Sequence, residues 1–264
     1  MKTSDNEDYL LEQFRLLDNS EIFILGNIFR CKHLLLSLRN YFRRKKWINS
    51  SAKNAPPPDF YNDKTKMMME VMKIDDHAFI DSRGKIQNPT AKKEKELLKS
   101  YFGKDYKTDR NDLSCYVVAS SGLPTKEDHD YQKYFANFQR VFENHNSKIP
   151  KYKENHPGYK TIFFVYDESS AYCECINSKD ASLMPEIGRV IMVKPHYPFF
   201  DRKFIDIIMK SNVDYVIWFM PWKLIRMTYK RNLSFPKCAI IEKDNIVEKK
   251  LIDYKENLMI SAEV

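Results

Sequence analysis

The sequence predicts an α/β fold, a mixed sheet with flanking helices, preceded by a helical N-terminal region. Four apolar runs between Leu113 and Trp222 have the length of strands buried on both faces. Between some of these runs, apolar residues recur at helical spacing. Such alternation of strands and helices is typical of an α/β sheet. With 264 residues, of which 43% are hydrophobic, the chain is long enough to bury a substantial core.

Residues 1–50 form the helical N-terminal region in this prediction. Two apolar series there have the helical period of about 3.6 residues: Leu10, Leu11, Phe14, Leu17 and then Leu34, Leu35, Leu38, Phe42. The stretch from Ile22 to Leu25 between them fits either a buried strand or the first turns of the second helix. Periodicity does not decide between these two alternatives.

Residues 51–63 are predicted to form a linker, because Pro56, Pro57 and Pro58 have no backbone N–H to donate and favour an extended backbone. Residues 64–112 predict a peripheral helical segment. Its helices are expected to be a Met-rich one, Lys64 to Ile74, and a charged one, Asn88 to Tyr101.

Residues 113–264 carry the α/β core in this prediction. Strands are expected at four ranges: Tyr116–Ala119, Thr161–Tyr166, Arg189–Val193 and Val213–Phe219. Helices are expected at Asp130–His145 and Phe204–Met209. A hairpin is expected to follow, with strands at Cys238–Ile241 and Ile246–Ile252.

The charge balance favours a polyanionic partner. The chain has 44 Lys and Arg against 36 Asp and Glu, a formal net charge of +8. Nucleic acid or another polyanion is therefore the predicted partner, with a protein partner as the alternative. A Lys-rich composition that reflects codon bias would explain the same balance without a polyanion.

The sequence favours a reducing, cytoplasmic setting. Its five cysteines are an odd number, without the spacing of a disulfide framework or of paired CxxC zinc ligands. The N-terminus begins with polar and acidic residues rather than with a signal peptide. The apolar run from Ile22 to Leu38 contains Arg30, Lys32 and His33, which argues against integral membrane insertion.

Two enzyme classes lack their signatures. With six glycines in the chain, the sequence contains neither a P-loop nor a dinucleotide fingerprint. No serine lies in the G-x-S-x-G pattern of serine hydrolases.

The end of one predicted strand suggests a metal site. Asp167 and Glu168 directly follow the apolar run that ends at Tyr166. Ligands of open α/β sheets gather beyond the carboxyl ends of strands, and Mg²⁺ takes oxygen ligands. Mg²⁺ held by Asp167 and Glu168 is therefore the predicted cofactor. The alternative is an acidic turn without a ligand.

Two further pairs are candidate catalytic groups. Asp76 and His77 lie in a loop after the Met-rich segment and supply a carboxylate and an imidazole. Lys194 and His196 lie at the end of another predicted strand. There the lysine would neutralise a phosphate and the histidine would transfer a proton near neutral pH. The alternatives are an exposed acidic loop for the first pair and a strand-ending proline turn for the second.

A basic stretch from residue 30 to residue 53 contains no acidic residue. Its candidate nucleic-acid contacts are Arg39, Arg43, Arg44, Lys45, Lys46 and Trp47. Clustered cations neutralise phosphates, and an exposed aromatic ring stacks on bases. The alternative is the solvated face of an amphipathic helix.

Acidic residues at a strand end within a basic chain predict a protein that acts on nucleic acid, as a Mg²⁺-dependent phosphodiesterase or nuclease. The alternative is a non-catalytic interaction protein, an inhibitor or adaptor, that binds a protein or nucleoprotein partner. The lack of a complete catalytic signature favours this alternative.

Overall fold

Extended apolar segments from both halves of the chain build the sheet that organises this fold. The computed structural model describes residues 10–39, 47–50, 58–88, 92, 96, 100, 130–176, 192–227 and 231–262. Its strands are β1 (Ile22–Leu25), β2 (Ile48–Asn49), β3 (Phe60–Asn62), β4 (Met67–Ile74), β5 (Phe79–Ile80), β6 (Ile86–Gln87), β7 (Lys160–Asp167), β8 (Tyr172–Cys175), β9 (Val193–Pro195), β10 (Tyr215–Phe219), β11 (Leu224–Met227), β12 (Arg231–Ser234), β13 (Cys238–Glu242) and β14 (Met259–Ser261). Its helices are α1 (10–15), α2 (Ile28–Arg39), α3 (Tyr131–Asn146), α4 (Ile149–Asn155) and α5 (Arg202–Lys210).

Seven of the described strands form the main sheet, in the order β1-β13-β10-β7-β4-β3-β2. β4, β7 and β10 are parallel neighbours, so that Met69, Ile162 and Tyr215 lie side by side. β13 is antiparallel to β10, and β1 is parallel to β13. The "carboxyl end" of the main sheet is the side at which β4, β7 and β10 end, and its "amino end" is the side at which they begin.

Hydrophobic layers cover both faces of the main sheet. Consecutive residues of a strand point to opposite faces, and Phe163 and Phe164 of β7 are both fully buried. On one face Phe142 of α3 contacts Phe163, with ring centroids 5.1 Å apart. On the other face Phe14 of α1 contacts Phe164 at 5.6 Å. Each such side chain contributes roughly 1.5–3 kcal/mol through burial.

The cap and the apolar spacing of α3 explain where this helix forms. The side chain of Asp130 accepts a hydrogen bond from the backbone N–H of Gln132, which satisfies one of the free donors at the helix start. The inward-facing aromatic residues lie at helical spacing: Tyr131, Tyr134, Phe138 and Phe142. The helix predicted from Asp130 to His145 is confirmed.

The mixed α/β fold predicted from the sequence is confirmed. The strands expected at Thr161–Tyr166 and Val213–Phe219 are β7 and β10, and the helix expected at Phe204–Met209 is α5. The ambiguous stretch Ile22–Leu25 is a strand, β1, in the main sheet.

The predicted Met-rich helix at Lys64–Ile74 is wrong, because this segment contains strand β4. Methionine has a high intrinsic helix propensity, which favours a helix in a single sequence. In the fold, all eight residues of β4 pair with β7. Burial between two neighbouring strands therefore outweighs local propensity.

The predicted hairpin at Cys238–Ile252 is wrong in its second half. Its first strand is confirmed as β13, but residues Lys243–Asn245 and Glu248–Lys250 form 3₁₀ turns. The chain then pairs through an isolated bridge from Ile252 to Asp201 instead of folding back on β13.

The main sheet takes strands from each of the segments 1–50, 51–63, 64–112 and 113–264. Its hydrogen bonding therefore crosses every boundary that the sequence suggested, and the sheet is not confined to residues 113–264. The strand predicted at Tyr116–Ala119, most of the helix at Asn88–Tyr101 and residues 189–191 lie outside the described residues. Among the helices that are described, none is long and apolar enough to cross a membrane.

Candidate functional site

The carboxyl end of the main sheet brings two of the predicted acidic residues together. Asp167 is the last residue of β7, and Asp76 lies two residues beyond β4. Both are buried, with 1% and 0% of their surface exposed. The rings of Tyr134 and Tyr172 stack 5.7 Å apart between them. The Tyr134 hydroxyl donates to Asp167 at 2.6 Å, and the Tyr172 hydroxyl donates to Asp76 at 2.5 Å.

The carboxylate of Asp167 is surrounded by protein donors. Its Oδ2 accepts hydrogen bonds from the Tyr134 hydroxyl and, at 2.7 Å, from the indole N–H of Trp218. Its Oδ1 accepts from the backbone N–H of Ser169 at 3.0 Å and from the Ser169 hydroxyl at 2.6 Å. The ammonium nitrogen of Lys223 lies 3.1 Å from Oδ2. Both oxygens are therefore engaged within the fold.

Lys223 is the cationic member of this cluster, and sequence reasoning missed it. Its Nζ donates to the Ser169 hydroxyl at 2.7 Å and to the Ser170 carbonyl at 3.1 Å, and it lies 4.5 Å from the ring centroid of Tyr134. A buried ammonium is tolerated when it is paired and hydrogen-bonded. No local pattern around Lys223 distinguishes it from a surface lysine, because its partners lie more than fifty residues earlier in the chain.

His196 lies in the same aromatic layer, where Asp201 accompanies it. Its Nε2 is 2.7 Å from Oδ2 of Asp201, which also accepts from the Tyr131 hydroxyl at 2.5 Å. Burial lowers the pKa of His196 below its usual value, although the hydrogen bond with Asp201 acts in the opposite direction. Oδ1 of Asp201 accepts from the backbone N–H of Lys203 and so caps α5. The pair therefore anchors this helix.

The remaining candidates at this end lie at the periphery of the cluster. Glu168 forms an ion pair with Lys73, and its side chain is 34% exposed. Lys194 contacts Glu174 at 3.3 Å. The imidazole of His77 lies 3.4 Å from the carboxylate of the preceding residue. The structure thus brings Asp76, Asp167 and His196 into one layer but not Glu168 or Lys194.

The donor set at the carboxyl end suits hydrogen bonding better than Mg²⁺. Within the residues described, no group of three or more His, Cys, Asp or Glu side chains is placed to hold a metal ion. A hard cation needs several free oxygen ligands, whereas both oxygens of Asp167 already accept hydrogen bonds. The expectation of Mg²⁺ at Asp167 and Glu168 gains no support from this arrangement.

The predicted nucleic-acid contacts at the end of α2 are partly buried. Arg39 donates to the side chain of Asn19 at 2.7 Å and to the carbonyl of Leu17. Trp47 is 4% exposed, and its indole N–H donates to the Ser37 carbonyl at 3.2 Å, so its ring face is covered. Four of the predicted contacts lie outside the described residues: Arg43, Arg44, Lys45 and Lys46.

A cationic groove lies at the amino end of the main sheet, at the start of α2. Its volume is about 450 Å³, and we term it the amino-end groove. Its lining comes from α2, from the β3–β4 turn and from the starts of β4, β7 and β10: Phe29, Arg30, His33, Thr65, Lys66, Met67, Gly158, Lys160 and Tyr215. Sequence reasoning singled out the other end of the same basic helix.

Glu242 fixes the start of α2 beside this groove. Its Oε2 accepts from the backbone N–H of Asn27 at 2.9 Å, and its Oε1 accepts from Arg30 at 3.0 Å. Gly26 has a φ of +145°, and a Cβ there would come within 2.6 Å of the Glu242 Cβ. Only glycine combines this backbone with so close an approach. The Arg30 side chain remains 60% exposed beside the groove.

Lys66 reaches the groove from a turn with an unusual backbone. Its φ is +51°, in the left-handed region that non-glycine residues rarely adopt. The side chain of Asn62 stabilises the turn by accepting from the backbone N–H groups of Lys64 and Thr65. The Lys66 ammonium lies 4.9 Å from the ring centroid of Tyr159. Such a backbone conformation costs free energy, and conformations of this kind cluster at functional sites.

Acidic groups near the groove are engaged elsewhere. Asp214 accepts from the backbone N–H of Thr161 at 2.8 Å, and Asp63 accepts from the Tyr159 hydroxyl. The ammonium of Lys160 lies 5.3 Å from the ring centroid of Tyr215, on the groove wall. The lining contains Arg30, Lys66 and Lys160 and no acidic residue. Of the acids near it, Asp214 and Asp63 accept from neutral protein donors, and Glu242 pairs with Arg30, whose side chain stays 60% exposed.

The side chain of Phe29 stands at the groove with 84% of the residue exposed. An exposed ring beside three cations offers both stacking and charge neutralisation to one ligand.

Comparisons of the chain with protein-family models, curated proteins and solved structures find no match in any of the three.

Proposed function

We propose that the protein binds single-stranded nucleic acid through the amino-end groove. The carrying observation is the exposed ring of Phe29 beside Arg30, Lys66 and Lys160 in one groove. Lys and Arg neutralise backbone phosphates, and an aromatic ring stacks on an unpaired base. A duplex hides its base faces, so the ring favours a single strand.

We propose binding rather than cleavage. A Mg²⁺-dependent phosphodiesterase needs carboxylate oxygens that are free to hold the metal. Asp167 instead accepts hydrogen bonds at both oxygens and pairs with Lys223. The cationic groove, by contrast, needs no further group to bind phosphates.

Fluorescence anisotropy with a labelled oligonucleotide of about 15 nucleotides tests this function, since known single-strand sites span about 4–16 nucleotides. We expect Phe29→Ala to raise the Kd roughly tenfold, because stacking contributes about 1–3 kcal/mol per base. Leu16→Ala is the matched control, since Leu16 is 68% exposed and does not line the groove. Equal affinities of Phe29→Ala and wild type would refute the stacking role. Tighter binding of duplex than of single strand would refute the choice of ligand.

A further inference from the structure

A second exposed aromatic residue lies at the opposite end of the main sheet. Trp222 is 66% exposed and borders a pocket of about 90 Å³ that we term the Trp222 pocket. Its other lining residues lie in α1 or just after it, at or just after the ends of β7 and β10, and directly before β13: Leu10, Gln13, Leu17, Tyr166, Phe219, Pro221 and Lys237. The pocket is mostly aromatic and aliphatic, with an amide and an ammonium at its border.

The exposure of Trp222 is enforced by its neighbours. Met220, two residues before it, is fully buried, and its N–H donates to the Lys237 carbonyl at 2.8 Å. Lys223, directly after it, is held by Asp167 and Ser169 in the buried cluster. The segment is thus fixed on both sides, and the indole between them is presented to solvent in a defined place. An indole on a fixed backbone has only two side-chain torsions left to order on binding, so the entropic cost of binding is small.

Helix α2 connects the Trp222 pocket with the amino-end groove. It starts at the groove, where Asn27 is bonded to Glu242. It ends at Arg39, which donates to the carbonyl of Leu17, and Leu17 lines the Trp222 pocket. Twelve helical residues span about 18 Å. The two sites therefore lie at opposite ends of one helix.

The exposed surface of α2 suits a polyanion between the two sites. The helix contains Arg30, Lys32 and Arg39 and no acidic residue. Lys32 and His33 are exposed in its first half. At the far end, Lys237 pairs with Glu21 at 2.7 Å. This pairing offsets the repulsion between the Glu21 carboxylate and a phosphate.

We propose that the Trp222 pocket is a second base-stacking site, and that one strand of nucleic acid runs along α2 from Phe29 to Trp222. This inference rests on the proposed function of the groove. At about 3.4 Å per stacked nucleotide, 18 Å corresponds to about five nucleotides. A strand of about three nucleotides that is bound in the amino-end groove does not reach the Trp222 pocket, whereas a strand of about twelve covers both sites.

The test compares Trp222→Ala and Trp222→Phe with the Leu16→Ala control, on oligothymidylates of about three and about twelve nucleotides. We expect Trp222→Ala to weaken binding of the longer strand roughly tenfold, Trp222→Phe to weaken it less, and neither to change binding of the shorter strand. Wild-type affinity of Trp222→Ala for the longer strand would overturn the inference.

Intrinsic fluorescence gives an independent measurement. The chain has three tryptophans, and Trp47 and Trp218 are buried. Stacking of a base on Trp222 should quench tryptophan emission with the longer strand and leave emission of Trp222→Phe unchanged.

Loss of binding in Phe29→Ala without any quenching in wild type would refute the second stacking site and leave the proposed binding in the groove supported. Full binding in both Phe29→Ala and Lys66→Ala/Lys160→Ala would remove the proposed function itself. Salt-insensitive capture of a protein at Trp222, without oligonucleotide quenching, would assign the pocket to a protein partner and overturn the inference.

Discussion

The ammonium of Lys223 lies 3.1 Å from the carboxylate of Asp167, and both side chains are almost completely buried. This pair joins the segment after β10 to the end of β7. In the sequence, Asp167 resembles a metal ligand at a strand end, but in the fold its negative charge is paired with Lys223. The same contact holds Trp222 in its exposed position.

Lys223→Met should destabilise the protein by about 3–5 kcal/mol, because it leaves the buried Asp167 carboxylate without its counter-charge. Adding Asp167→Asn should recover part of this loss, since the charge is then removed as well. Urea unfolding of the two single variants and the double variant measures the coupling free energy. Additive losses would show that the two side chains do not stabilise each other.

The buried His196 should make stability depend on pH. Burial lowers its folded-state pKa, so the unfolded chain takes up the proton first as the pH falls below about 6.5. The free energy of unfolding should therefore decrease from pH 6.5 downward until the folded-state pKa is reached, by at most about 1.4 kcal/mol per pH unit.

His196→Gln is the matched variant for this pH dependence, because its amide still reaches Asp201 but does not titrate. Urea unfolding at several pH values should show a shallower slope below pH 6.5 for this variant. Identical slopes for both proteins would assign the pH dependence to other groups.

Lys66→Gly should weaken binding without lowering stability. Glycine adopts the φ of +51° without the cost of roughly 1 kcal/mol that a side chain incurs there. The variant should therefore melt at the same or a higher temperature while it binds the oligonucleotide more weakly. A drop in both would mean that the Lys66 side chain stabilises the turn itself.

Gly26→Ala should destabilise the protein more than Gly84→Ala. Both glycines have a positive φ, of 145° and 74°, but only at Gly26 would the new Cβ meet another atom, the Glu242 Cβ at 2.6 Å. Gly84→Ala should cost about 1 kcal/mol from the backbone alone. Thermal unfolding of both variants separates the steric contribution from the backbone contribution, and equal losses would contradict the close packing at Glu242.

The sequence predicted strands and helices correctly where the pattern that determines an element lies within that element. The apolar run before Asp167 and the apolar spacing between Asp130 and His145 were sufficient to predict β7 and α3. The Met-rich segment was predicted as a helix because the strand pairing that defines it, β4 with β7, joins residues about ninety positions apart.

The candidate sites depended still more on distant partners. Trp47 resembled a stacking residue in the basic stretch, but its indole donates to Ser37 and is covered. The ring that is presented at the groove belongs to Phe29, which lies in an apolar stretch that fits a buried strand or the start of a helix and was not singled out as a contact. Lys66 and Lys160 meet only when β4 and β7 pair, which no local spacing reveals.

The most direct test of the central claim is the salt dependence of oligonucleotide binding by wild type, Lys66→Ala/Lys160→Ala and the control Lys249→Ala/Lys250→Ala. The control removes the same charge from exposed residues outside the groove. With three groove cations on phosphates, the slope of log K against log salt should be about −2 for wild type and the control. It should be less than half as steep for the groove variant, which keeps one of the three. Equal slopes for the groove variant and the control would show that the nucleic acid does not bind in this groove.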